Sequence, residues 1–481
     1  MVFSNLNFLF YFFPITLVGY FLLGFSLPLQ NIWLLITSLA FYAWGEPMYV
    51  FLMIGSIIIN WFLGIFIGKY REKKVIKARF FLAGAVIIDV AILIVFKYLS
   101  FIIENINLLL GDAKIPDPKI VLPIGISFYT FQAMSYVIDV YRGDAESQKN
   151  PLYMGLYIAF FPQMIAGPIV RYNTIEESIR SRKITFDDIS IGINRFAIGL
   201  CKKVIISNNL AVMNDLFYDL IKTGRSLYEV SAVMAWLAAI GYMLQIYYDF
   251  SGYSDMAIGL GRIFGFKFEE NFNYPYISMS VGEFWRRWHM SLGTWFKEYV
   301  YIPLGGSRVE NQDKMVKNTL IVWILTGIWH GASWTFILWG LYNFLFIILE
   351  RAVGYEKWNL PKWVKHLYGL LVFMFGWILF RSENIYQMRE IIKDMFMLND
   401  NTFINDTTLW VIKEKYIIYL LAIVFSAPVF PAFQKKLNDN KDKLYSIFPK
   451  IGYICVLSAC VIFSVISLIR GGYNPFIYFN F

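Results

Sequence analysis

Apolar residues run along this chain in long unbroken stretches, with neither the alternation of a strand nor the narrow stripe of a surface helix. The runs fall near 6–25, 30–45, 48–68, 80–103, 121–141, 153–170, 190–210, 230–250, 318–349, 367–380, 416–433 and 451–469. About 20 consecutive apolar residues cross the hydrocarbon of a bilayer. The pattern therefore predicts an all-α, polytopic membrane protein with about 11 or more transmembrane or re-entrant helices. The run at 318–349 is longer than one span and holds Gly327 and Gly331 around His330, which predicts two helical pieces meeting near His330. Phe160-Phe161-Pro162-Gln163-Met164-Ile165-Ala166-Gly167-Pro168 reads as a broken or re-entrant element. Irregular backbone at membrane depth is tolerated only where protein buries it or where it lines a cavity. The segment 280–299 is of another kind. Ser280 and Glu283 have capping-box spacing. Phe284, Trp285, Trp288, Leu292, Trp295, Phe296 and Tyr299 then recur at helical spacing between Arg286, Arg287, Lys297 and Glu298. This predicts an amphipathic helix, at an interface or packed under the core, with Trp285 and His289 on one face. The tryptophans of that stripe read most simply as membrane-surface anchors.

Composition agrees with the pattern. Of 481 residues, 58% are hydrophobic and 16% charged, against roughly 25% charged in soluble proteins. The net charge of +9 gathers in loops, where it sets orientation and meets anionic headgroups of membrane lipids. Lys69, Arg71, Lys73, Lys74, Lys77 and Arg79 face a single acid, Glu72, so the loop 69–79 is expected in the cytoplasm. Lys435, Lys436, Lys441, Lys443 and Lys450 argue the same for 434–450. Counting from these anchors puts both termini outside and turns the polar segment 381–415 outward. The first basic residue is Lys69, so no signal-peptide n-region precedes the first run, and 6–25 is expected to stay as a membrane helix. Cys201, Cys455 and Cys460 have no paired or metal-ligand spacing and read as small apolar residues. No basic cluster is arranged with exposed aromatics as a nucleic-acid surface would be. The whole chain is expected to form one membrane domain, its core near 120–350.

The chemistry concentrates on two histidines. His330 sits in Thr326-Gly327-Ile328-Trp329-His330-Gly331, inside a stretch free of Asp, Glu, Lys and Arg; His289 ends Trp285-Arg286-Arg287-Trp288-His289. An ionisable group at membrane depth is costly and points to function by default, and imidazole can take and return a proton near neutrality. The plainer alternative is a histidine hydrogen-bonded between helices. Asp249 and Asp255 are either proton-relay groups or, as favoured here, partners in ion pairs with Arg262, Arg286 or Arg287, since an unpaired carboxylate in an apolar site would neutralise. Gly259, Gly261 and Gly265 follow no strand, which excludes a dinucleotide loop. There is no Walker motif, no His-Glu-x-x-His and no Gly-x-Ser-x-Gly, and no metal site is expected.

Six runs occur in a fixed order: Leu122-Pro123-Ile124-Gly125-Ile126-Ser127-Phe128-Tyr129-Thr130-Phe131-Gln132, the 161–168 element, Tyr248 to Asp255, Trp285 to His289, Tyr301-Ile302-Pro303-Leu304-Gly305-Gly306, and Trp329-His330-Gly331. Together they resemble the membrane-bound O-acyltransferase family, and within it the bacterial branch that O-acetylates exported polysaccharides such as alginate. The resemblance covers nearly the whole chain and is weakest over 381–440. It implies helices around a central thinned region in the cell membrane, with acetyl-CoA as co-substrate and no bound cofactor. It places the family's characteristic catalytic histidine on His330 and a second position, histidine or asparagine, on His289, in a supporting or an acid–base role. Arg286 and Arg287 would hold the phosphates of the acyl-CoA donor, and Trp285, Trp288 and Trp329 would wall the tunnel. An exported polysaccharide would be the acceptor, reached directly or through an extracytoplasmic SGNH-type partner. Two alternatives stay open: D-alanyl transfer to teichoic acid from a carrier-protein thioester, and a proton-coupled transporter or flippase. The second would commonly show an inverted repeat, and none is visible.

Overall fold

The computed structural model describes residues 2–111, 114–222, 230–308, 311–429, 431–432 and 443–477. Lys435, Lys436 and Lys441, on which the orientation of 434–450 rests, lie outside them. The described residues are helical, with no strand among them. In chain order the helices are α1 (Phe13–Leu22), α2 (Leu27–Gly45), α3 (Tyr49–Tyr70), α4 (Val75–Leu93), α5 (Leu99–Leu110), α6 (Ile126–Arg142), α7 (Pro151–Ala159), α8 (Phe161–Met164), α9 (Tyr172–Arg180) and α10 (Phe186–Cys201). There follow α11 (Asn208–Lys222), α12 (Ala232–Ile263), α13 (Val281–Arg287), α14 (Met290–Phe296), α15 (Gln312–His330), α16 (Trp334–Ala352), α17 (Lys362–Arg381), α18 (Ile385–Met395), α19 (Asp406–Phe425) and α20 (Lys443–Ile469).

Among the described residues, five stretches are long and apolar enough to cross a membrane: Tyr49–Tyr70, Val75–Leu110, Trp334–Ala352, Lys362–Arg381 and Ile451–Ile469. The count of about 11 or more helices expected from the sequence includes re-entrant pieces as well as full spans. The remaining apolar runs fall on helices that are shorter, broken or more polar. The run at 153–170 is divided between α7 and α8, and α12 carries Gln245, Asp249, Asp255 and Arg262.

The chain divides into two compact units. The first comprises Met1–Phe196, Met256–Glu270 and Thr294–Pro303. Its α3, α4 and α6 pack on one another, and Gly64 permits the approach, since a Cβ there would lie 2.6 Å from the Tyr136 ring. Asn60 of α3 donates its amide to Asp89 of α4 at 2.9 Å, both fully buried. An interhelical hydrogen bond of this kind holds two apolar helices in register. The Pro-rich element behaves as the sequence predicts: α7 starts on Pro151 behind the Asn150 cap, the backbone breaks at Phe160, and α8 follows, all buried from Met154 to Met164.

The second unit comprises Ala197–Asp255, Asn271–Gly293 and Leu304–Phe481. Its centre is the hairpin of α15 and α16, which meet at Gly331. This is the break near His330 that the overlong run predicts. The two helices touch backbone to backbone: a Cβ on Gly340 would lie 2.3 Å from the Trp323 carbonyl oxygen, and one on Gly327 would lie 2.4 Å from that of Phe336. Ser333 caps α16 by accepting the Thr335 N–H at 3.3 Å. Helix α17 packs along α16, and the short α13 packs against both.

The amphipathic helix expected over 280–299 is not one helix. It is α13, then a break at Trp288-His289, then α14 and a π-helical turn Lys297–Tyr301. The break follows from one residue, because His289 adopts φ +44 and no right-handed helix continues through such a residue. Trp285 and His289 therefore do not share a helical face. Nor are the tryptophans surface anchors: Trp288 and Trp295 are buried, each in the core of its own unit.

Candidate functional site

One face of α16 builds the site in the second unit. Glu350, near its C-terminal end, accepts the backbone N–H groups of Val281 (2.7 Å) and Gly282 (3.3 Å), the first residues of α13. A carboxylate on the free donors of a helix start is favoured by both hydrogen bonding and the helix dipole. Two turns back, Asn343 accepts the Trp285 indole N–H at 3.0 Å and donates to the Trp339 carbonyl at 2.8 Å. One turn further, the Trp339 ring stands edge-on to His330, with centroids 4.9 Å apart. A single helix thus registers α13 and His330 together.

His330 is buried at the C-terminal end of α15. Three rings surround it edge-to-face: Trp329 at 4.9 Å, Trp339 at 4.9 Å and Phe380 of α17 at 5.1 Å. The cage fixes the imidazole and keeps its surroundings apolar.

His289 is buried beside Phe250 (4.6 Å) and Trp329 (6.0 Å). Trp329 therefore touches both imidazoles. The Asn271 side-chain oxygen holds the turn around His289, accepting Ser291 N–H at 3.2 Å and Ser291 Oγ–H at 2.9 Å and lying 3.2 Å from His289 Nδ1. The Asn271 carbonyl also accepts the Met290 N–H at 2.9 Å. Because a backbone N–H only donates, the atom facing Ser291 is oxygen, so His289 Nδ1 must carry its proton. Nε2 is then the nitrogen with the lone pair. Burial pulls the His289 pKa down from 6.5 to about 3, so the ring is neutral at physiological pH. A positive φ on a non-glycine residue costs on the order of 1–2 kcal/mol, and such strain gathers where geometry serves function.

This lowered pKa sets a pH test. Between pH 6.5 and 3 the unfolded chain binds a proton that the folded site excludes, so stability rises with pH across that window and falls on acidification. The folded state should lose about 2 kcal/mol through His289 between pH 7 and pH 5. Unfolding of purified wild type and His289→Gln in the same detergent at both pH values measures this. Equal pH dependence of the two proteins would show that His289 does not carry it.

The other predicted residues divide. Trp285 and Trp288 lie in one aromatic cluster with Trp323, Trp339 and Trp377, and Trp329 joins it through the His330 ring. Arg286 is exposed and forms no ion pair among the described residues. Arg287 pairs with Glu283 at 3.0 Å and donates to the Asn273 carbonyl at 3.1 Å. Asp249 and Asp255 are ion-paired, but with none of the three arginines expected. Lys203 meets Asp249 at 2.5 Å and Lys202 meets Asp255 at 2.7 Å. Arg262 instead pairs with Asp188 in the first unit, at 2.9 Å. The sequence reading overlooked Lys202 and Lys203 because they lie in an apolar run counted as a span. It also missed Asn271, Asn343, Glu350 and Phe380. Glu350 had a usable signal, as the first charge after the uncharged run; Asn271 had none. Among the described residues no group of three or more His, Cys, Asp or Glu could hold a metal ion.

Comparison with known proteins adds the family. The model of the membrane-bound O-acyltransferase family matches residues 148–380. A relative named "Probable alginate O-acetylase" from Azotobacter vinelandii is 35% identical over 512 residues, covering 100% of both chains. One of the same name from Pseudomonas aeruginosa is 40% identical over 403 residues, covering 82% of this chain and 75% of its own. The peptidoglycan O-acetyltransferase of Helicobacter pylori is 31% identical over 525 residues, covering 100% of this chain and 98% of its own.

Proposed function

We propose, for a chain that belongs to the membrane-bound O-acyltransferase family, that it moves an acetyl group from cytoplasmic acetyl-CoA toward a hydroxyl of an exported polysaccharide. The protein is an integral membrane O-acyltransferase, as the resemblance in its motifs implies. The acetyl donor, the polysaccharide acceptor and delivery through an SGNH-type partner are the finer parts of this reading. So is a thinned centre through which donor and acceptor meet.

The observation that carries it is the pair of buried imidazoles on either side of Trp329, in a site closed by aromatic rings. In the proposed chemistry His330 accepts the proton of the attacking hydroxyl. The acceptor oxygen bonds to the thioester carbonyl carbon, the carbon–sulfur bond breaks, and the proton passes to the departing thiolate. His289 orients the reacting groups. The apolar walls keep out water, which would otherwise hydrolyse the donor. In this reading Arg286, which is exposed, takes a donor phosphate, while Arg287 already serves Glu283.

Purified protein with radiolabelled acetyl-CoA and acceptor glycan tests the reading. Label should move to the glycan or to an added SGNH-type partner. Arg286→Lys, which keeps charge but loses the fork, should raise KM for acetyl-CoA about tenfold. No transfer from acetyl-CoA, with transfer from a D-alanyl carrier protein, would reassign the acyl group. Transport of a solute without acyl transfer would overturn the enzyme reading.

A further inference from the structure

We propose that Asn271 is the oxyanion donor of this site: its side-chain NH2 binds the carbonyl oxygen of the acyl donor and holds the negative charge that collects there. The inference rests on the acyl-transfer reading above and adds a residue to it. Asn271 is fully buried. Its oxygen is saturated by the Nδ1–H of His289 and by the N–H and Oγ–H of Ser291. Those donors fix which arm of the amide is oxygen and which is nitrogen. The nitrogen arm, equally buried, has no hydrogen-bond partner among the described residues. A buried donor left unpaired is costly, and folded proteins keep few of them without a reason. Here it belongs to an amide that also orients His289.

The step has a place for such a donor. As the acceptor oxygen bonds to the carbonyl carbon, the π electrons move onto the carbonyl oxygen. They return when the carbon–sulfur bond breaks and the thiolate leaves. The acceptor's proton goes to imidazole and then to sulfur. Charge on the carbonyl oxygen is greatest between those events, and a donor fixed beforehand in an apolar site stabilises it most there. Asn271 is well held for this, because its oxygen is tied at three points to the turn of His289 and Ser291. The side chain thus joins two tasks: one end sets the imidazole tautomer, the other meets the carbonyl.

Asn271→Asp separates the tasks, keeping an acceptor for His289 and Ser291 while removing the NH2. Assayed above pH 8, where the carboxylate is ionised, purified Asn271→Asp should lose about 10²–10³-fold in kcat with KM for acetyl-CoA nearly unchanged. A kcat within about tenfold of wild type would overturn the proposal and leave Asn271 only its hold on His289. A wild type that transfers no acetyl group would instead sink the acyl-transfer reading. If Asn271→Asp does not fold, infrared spectra of 13C-carbonyl acetyl-CoA bound to His330→Ala decide. The carbonyl stretch should lie below its value in water. A stretch at or above that value would overturn the assignment.

Discussion

His330→Gln is expected to abolish acetyl transfer while the protein accumulates in the membrane at its normal level. Glutamine has similar reach and keeps a polar end, so the packing among Trp329, Trp339 and Phe380 should survive. What it lacks is a nitrogen that can take a proton and give it back near neutral pH. General acid–base assistance is typically worth ~10²–10⁴ in rate, and the loss should fall in that range for both His330→Gln and His330→Ala. Because the loss is in the chemical step, kcat should fall and KM for acetyl-CoA should change little. His366, near the start of α17, is the control and should tolerate alanine. A folded His330→Gln protein that still acetylates at near wild-type rate would remove His330 from the role of base.

The features readable in the sequence were those set by local rules. Two helical pieces meeting near His330 account for an uncharged run too long for one span, with Gly327 and Gly331 inside it, and the helices meet there. Proline and glycine marked the break between α7 and α8 in the same way. Helical spacing over 280–299 misled because spacing does not register a single residue's φ. The left-handed turn at His289 is held by Asn271 from outside the segment. The support behind His289 was invisible for the same reason. Asn271 reaches it across 18 positions and Glu350 reaches α13 across 69, and one sequence carries no record of such pairings. The number of spans is not legible in the sequence for a different reason. A helix such as α12 is apolar enough to lie in a protein core and polar enough to carry buried ion pairs. Hydropathy alone does not separate burial in protein from burial in lipid.

Lys203→Met should destabilise the second unit by about 3–5 kcal/mol, through the carboxylate it leaves behind. Lys203 and Asp249 are both nearly inaccessible, with side chains 3% and 1% exposed, and their atoms approach to 2.5 Å. Asp249 also accepts the Ile477 N–H at 2.9 Å, and Lys203 donates to the Pro475 carbonyl. Removing the lysine strands a charge in an apolar interior, and removing the aspartate as well takes that charge away. Lys203→Met with Asp249→Leu should therefore recover most of the stability that either single change loses. The double variant should still stop short of wild type by about 1–3 kcal/mol, because the buried Ile477 N–H loses its acceptor when Asp249 goes. The cycle also decides what Asp249 is for. As half of a structural pair it can be replaced together with its partner, and the double variant should acetylate at a rate close to wild type. As a proton carrier or substrate ligand it cannot be replaced, and a well-folded double variant without activity would return Asp249 to the chemistry. Thermal unfolding in detergent and labelled acetyl transfer on the same four preparations distinguish the two, because the cycle reads stability and rate separately.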